Sequence, residues 1–284
     1  MSSAGRHRPD SVAEERDRAE RDRAEHHWGG DRAWAERLWD KARHRLINVL
    51  PRPMAEQVPP IYEESDAIRL RRRQIVSGFG VAGAGLLGLS LAAQPGSRRF
   101  YALTGALAAT WTAGAIASGP LHLGWIRTLG DSTHRPVLAP IGTGVLAFGA
   151  FYGAALVARE IPVLEGAIGN VLRYADQGST PLVVLTTCTN GVAEELFFRG
   201  ALYSVFRDEH PVLTSTLAYT AVTAASRNPA LVLAGGVMGA LFGLQRQASG
   251  GVQAPALTHL TWSVLMLRFL PPLFRRAIRQ ELRA

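Results

Sequence analysis

The sequence predicts an all-α, polytopic transmembrane helix bundle of seven or eight spans, and three observations predict it. First, composition divides the 284-residue chain sharply: residues 1 to 73 are rich in charge, and the remainder is a series of apolar blocks. Second, those blocks approach the roughly 20 residues that an α-helix needs to cross a bilayer. Third, the blocks are separated by short breaks of arginine, proline or glycine, where a soluble domain alternates more finely. The mean hydropathy of +0.05 hides this, because it averages two unlike parts.

The polar region comes first. Residues 1–30 are a solvated, disordered charge run with a duplicated pentapeptide, RDRAE, starting at Arg16 and again at Arg21. MSSAGRHRPD lacks the apolar stretch of a secretory signal, so none is expected there. Residues 31–73 read as an amphipathic helix and a linker. Trp34, Leu38, Ala42, Leu46 and Val49 recur at helical spacing, Asp31 is placed to cap the helix, and Pro51 and Pro53 end it. Such a helix suits either the cytoplasmic membrane surface or docking onto the protein's own membrane domain.

The spanning candidates occupy residues 74–284. They are Gln74–Ala93, Phe100–Gly119, Pro136–Ala158, Thr180–Phe206, Pro211–Ser226, Pro229–Gln245 and Val252–Leu270, the fifth and sixth being short. Glu160–Ser179 mixes apolar residues with Glu160, Glu165, Arg173 and Asp176, and reads as interfacial or partly re-entrant. Arg69, Arg71, Arg72 and Arg73 abut the first block, which puts the N-terminus in the cytoplasm by the positive-inside rule. Seven spans then leave the tail with Arg275, Arg276, Arg279 and Arg283 outside, and eight spans return it to the cytoplasm. The run GFGVAGAG from Gly78 follows no strand, so it reads as small-residue helix packing and not as a nucleotide loop.

Net charge is +8, and Lys41 is the only lysine. An arginine bias of this kind suits a GC-rich genome and is no sign of nucleic-acid binding. Cys188 is the only cysteine, which excludes an intrachain disulfide and a cysteine zinc site.

The most informative feature is Glu194-Glu195 inside an apolar segment, with Arg199 following. A carboxylate at the centre of a spanning helix costs roughly 2.5–3.5 kcal/mol even on the lenient insertion scale. Glu195 and Arg199 are spaced i, i+4 and share a helix face, so they can neutralise each other. Glu194 is turned about 100° away and has no partner in its own segment. In the last span His259 and Ser263 are also spaced i, i+4. The structural alternative is ionic and hydrogen-bonded glue between helices. The functional one is that a carboxylate, an imidazole and a hydroxyl from separate helices converge to activate a water and stabilise an oxyanion.

Glu194-Glu195-Leu196-Phe197-Phe198-Arg199 resembles the Glu-Glu-x-x-x-Arg motif of the CPBP intramembrane proteases, the family of CAAX prenyl endopeptidases and Abi-type bacteriocin-processing or immunity proteins. His259-Leu260-Thr261-Trp262-Ser263 is similar to its last motif, His-x-x-x-Asn, with serine in the asparagine place. The resemblance covers about residues 180–270 and implies an intramembrane endopeptidase acting on membrane-associated polypeptides within the lipid bilayer. It gives catalytic roles to Glu194 and His259 with Ser263, and an orienting role to Glu195 and Arg199. One departure stands out. The family's middle motif is Phe-x-x-x-His, and here Tyr219-Thr220-Ala221-Val222-Thr223 has no histidine. Zinc is implied by the family's usual naming, but a catalytic zinc takes three protein ligands, and only Glu194 and His259 present themselves. The expected mechanism is therefore metal-independent, with Glu194 as base. The rivals are a non-catalytic relative serving immunity or scaffolding, and a transporter using Glu194.

Overall fold

The structure, a computed structural model, describes residues 66–127, 133–207 and 210–275. The charged repeat, the surface helix expected over 31–50 and the tail beyond Arg275 lie outside the described residues. Eight α-helices of 13 residues or more form the described part: α1 (Asp66–Leu91), α2 (Arg98–Ser118), α3 (Leu138–Ala158), α4 (Pro162–Gln177), α5 (Thr180–Glu194), α6 (Pro211–Thr223), α7 (Pro229–Ser249) and α8 (Gln253–Phe269). The expected all-α class holds. The described strands are β1 (Ile126–Arg127) and β2 (Thr133–His134), two residues each and antiparallel, a detail the sequence reading did not foresee.

Local chemistry sets most of these boundaries. α1 is already helical at Asp66, the first described residue and eight residues ahead of the expected Gln74, and its arginine run is a good helix former. Ser97 caps α2, its Oγ accepting the Phe100 N–H at 3.1 Å. Asn228 caps α7 more fully, its Oδ1 accepting from the N–H groups of Ala230 and Leu231 at 3.0 and 3.1 Å. α4, α5, α6 and α7 each carry proline in the first turn, where a missing N–H costs nothing. α7 ends at Ser249, four residues past the expected Gln245, and Gly250 follows it in the left-handed region, φ 67°.

The surface is inverted relative to a soluble protein. Val81, Leu138 and Leu146 are 74–83% exposed, while Glu195, Arg199, Ser215 and Thr258 are fully buried. Apolar faces turned outward and polar groups turned inward make this a membrane protein. Four helices are long and apolar enough to cross a membrane by length and composition: α1, α2, α3 and α7.

Hydrogen bonds fix which helix ends lie together. At one end Gln253 Nε2 donates to the Pro136 carbonyl at 3.1 Å, and the backbone N–H of Trp125 donates to Ser249 at 2.8 Å. The start of α3, the end of α7 and the start of α8 therefore share that end. At the other, Tyr174 Oη donates to the Ala93 carbonyl at 3.0 Å, and Asn228 Nδ2 donates to the Ala167 carbonyl at 2.7 Å. Both halves of α4 thus bind the end that holds the end of α1 and the start of α7. α4 lies across that end of the bundle, and α1, α2, α3 and α5 to α8 run between the two ends.

Packing centres on Trp111, which lies tilted against Phe197 and edge-on to Phe198 at ring-centroid distances of 4.6 and 5.1 Å. Gly83 makes this possible: a Cβ there would fall 2.1 Å from the Trp111 ring. That is the close approach the glycine-rich run of α1 suggested, although Gly78 and Gly85 face open space.

Candidate functional site

The helix carrying the two glutamates changes form at the motif. α5 ends at Glu194, and Glu195–Leu202 is a π-helix, closed by the α-turn Tyr203–Val205. The Tyr203 N–H reaches back five residues to the Phe198 carbonyl. A π-segment within an α-helix is rare and often sits at functional sites. The sequence reading treated this stretch as a plain helix. Periodicity carries no signal for so short a change, because Phe197, Phe198, Ala201 and Leu202 are buried on several sides at once.

Glu195 and Arg199 form the expected pair, both fully buried, with Arg199 Nη1 3.3 Å from Glu195 Oε1. Arg199 Nη2 also donates to the Gly239 carbonyl at 3.2 Å, and its guanidinium lies over the rings of Tyr219 at 4.5 Å and Phe242 at 5.0 Å. Arg246 Nε donates to the Arg199 carbonyl at 2.7 Å, which secures the π-segment to α7.

His259 Nδ1 lies 2.9 Å from Glu195 Oε1, so the imidazole hydrogen-bonds the orienting carboxylate, a contact the sequence did not indicate. Against an ionised carboxylate, which can only accept, Nδ1 is the donor of this contact, and in the neutral form of the ring that leaves Nε2 as an acceptor. The ring is stacked on Phe242 at 4.8 Å and rests against Gly191, where a Cβ would touch it at 3.6 Å. Glu195 Oε1 thus receives two donors, while its Oε2 is buried with no hydrogen-bond partner.

Glu194, without a partner in its own segment, finds one on α6. Tyr219 Oη donates to Glu194 Oε2 at 2.7 Å. Glu194 is partly buried and within electrostatic reach of His259, Glu195 and Arg199. Sequence reasoning quoted Tyr219 only as the aromatic of a degenerate motif. The signal it passed over was the hydroxyl itself, set where the family has phenylalanine. Thr223, in the place of the middle histidine, donates to the Tyr219 carbonyl of its own helix at 2.8 Å. Ser263 is buried one turn along α8 from His259, and among the described residues it hydrogen-bonds neither His259 nor Glu194.

With a rise of 1.5 Å per residue, His259 is about 9 Å from the start of α8, and Tyr219 about 12 Å from the start of α6. Both starts lie at the end where α1 begins with its arginines.

These donors do not make a zinc site. Glu194 Oε2 already accepts from Tyr219, and Glu195 Oε1 from His259 and Arg199. Among the described residues no group of three His, Cys, Asp or Glu side chains could hold a metal ion.

Residues 176–265 match the family model described as type II CAAX prenyl endopeptidase Rce1-like. That segment contains Glu194, Glu195, Arg199, Tyr219, Thr223, His259 and Ser263, and the match supports the CPBP resemblance that the motifs implied. No curated protein and no solved structure matched the chain.

Proposed function

With its residues 176–265 matched to a CAAX-type intramembrane protease family, we propose that this chain is a membrane endopeptidase hydrolysing peptide bonds of membrane-associated polypeptides, with Glu194 as the base. The observation that carries the reading is the arrangement of the two carboxylates. Glu195 is neutralised by Arg199 and locks the His259 ring, while Glu194 is held at one oxygen by Tyr219 and keeps Oε1 as an acceptor.

In the reaction a water donates one hydrogen to Glu194 Oε1 and the other to His259 Nε2. As its oxygen attacks the scissile carbonyl, Glu194 takes the proton and later returns it to the leaving amine. With Nδ1 turned to Glu195, a neutral imidazole offers Nε2 to the water as an acceptor. Ser263 Oγ, one turn away, is the group that would donate to the oxyanion. Arg199 holds Glu195, and Glu195 holds the imidazole. No step passes through a metal. The charged run Arg69–Arg73 favours a cytoplasmic N-terminus. The substrate class is a membrane-associated peptide.

The test is to compare membrane peptides from cells expressing the protein and its Glu194→Gln variant. New peptide termini that depend on Glu194 support the reading. Identical peptide sets support a second reading, a non-catalytic relative that binds membrane peptides, which Thr223 in the histidine place favours.

A further inference from the structure

We infer that the Tyr219 hydroxyl does the work of the absent middle-motif histidine, as the positioning residue that fixes and polarises Glu194. The inference rests on the protease reading for its kinetic part and on the geometry alone for its spectroscopic part.

Two groups in this segment could stand in for the histidine, and the structure separates them. Thr223 is in the right place in sequence, but its hydroxyl donates to the Tyr219 carbonyl at 2.8 Å. Its side chain also packs against Gly235 on α7, where a Cβ would come within 3.1 Å of Thr223 Oγ1. Thr223 is therefore committed to the α6–α7 contact and has no hydrogen left to offer. Tyr219, one turn earlier, donates to Glu194 Oε2 at 2.7 Å.

The ring that carries this hydroxyl is held on several sides. Phe198 meets it edge-on at 4.9 Å, the Arg199 guanidinium covers one face at 4.5 Å, and the bare Gly239 leaves the room in which it sits. A Cβ at Gly239 would come within 3.3 Å of the ring. A rigid donor on one carboxylate oxygen does two things. It fixes the rotamer of the carboxylate, and it leaves Oε1 as the oxygen that serves as the base. The same arginine that neutralises Glu195 also orients the tyrosine that orients Glu194, so both carboxylates are positioned from a single guanidinium.

The decisive variant is Tyr219→Phe, which installs the family's own aromatic and removes only the oxygen. Loss of a charge-assisted hydrogen bond predicts that kcat falls about 10- to 100-fold while KM stays at its wild-type value. Thr223→Val should keep kcat. An infrared difference spectrum between wild type and Glu194→Gln isolates the Glu194 carboxyl bands, and these should shift in Tyr219→Phe but not in Thr223→Val. Unshifted bands, or unchanged kcat, in Tyr219→Phe overturn the inference. If the wild type proves inert but the bands shift, the protease reading fails and the Tyr219–Glu194 device stands.

Discussion

Removing the Arg199 guanidinium while Glu195 remains should destabilise the protein severely. Arg199 and Glu195 are fully buried, and their contact is 3.3 Å. In Arg199→Ala the carboxylate keeps His259 on Oε1 but loses its permanent positive charge, and its Oε2 has no hydrogen-bond partner to begin with. The Gly239 carbonyl loses its side-chain donor, and the faces of Tyr219 and Phe242 lose the cation above them. Breaking a buried pair by deleting one partner costs about 3–5 kcal/mol, because the remaining charge stays desolvated. The separate contacts do not add to this figure, since they share one group. Removing both charges, in Glu195→Gln with Arg199→Met, should recover much of the loss, because a neutral, well-filled site carries no orphaned ion. Reversible unfolding in mixed detergent micelles measures both variants. An Arg199→Ala protein as stable as wild type would refute the reasoning and mean that the guanidinium finds water.

Other variants probe other parts of the account. Gly83→Ala places a Cβ 2.1 Å from the fully packed Trp111 ring and should cost about 1–3 kcal/mol by overpacking, whereas Gly191→Ala meets the His259 ring at an ordinary 3.6 Å and should fold normally. Equal stability of the two would contradict the packing assigned to α1 and α2. Single cysteines replacing the exposed Glu160 and Gln177, in a Cys188→Ser background, should react with an impermeant reagent from the same side of the membrane, because α4 lies across one end of the bundle. Labelling from opposite sides would make α4 a crossing segment and restore eight spans.

Much of the fold was legible because membrane helices are delimited by simple physics. Proline and capping residues set the starts of α2, α4, α5, α6 and α7, and apolar length set most of the rest. Glu195–Arg199 was legible too, since an i, i+4 pair on one helix needs no knowledge of neighbouring helices. The interhelical contacts were not. Which of two adjacent carboxylates His259 meets depends on how α5 and α8 are rotated against each other, and the π-segment that follows Glu194 has no sequence signature. Tyr219 was hidden for a related reason: an aromatic in an apolar helix looks like packing until the helix facing its hydroxyl is known. Gly239 and Phe242 shape the site only through Arg199 and His259, so their part appears only once α7 is placed.

The most direct test of the central claim is cleavage of a membrane-embedded peptide by purified protein after exhaustive treatment with a strong chelator, with Glu194→Gln measured beside it. A base-catalysed site with no third metal ligand predicts that the chelated wild type keeps its activity and that Glu194→Gln falls to background. Activity lost on chelation and restored by zinc would contradict the account, placing a metal where the structure sets Tyr219 against Glu194.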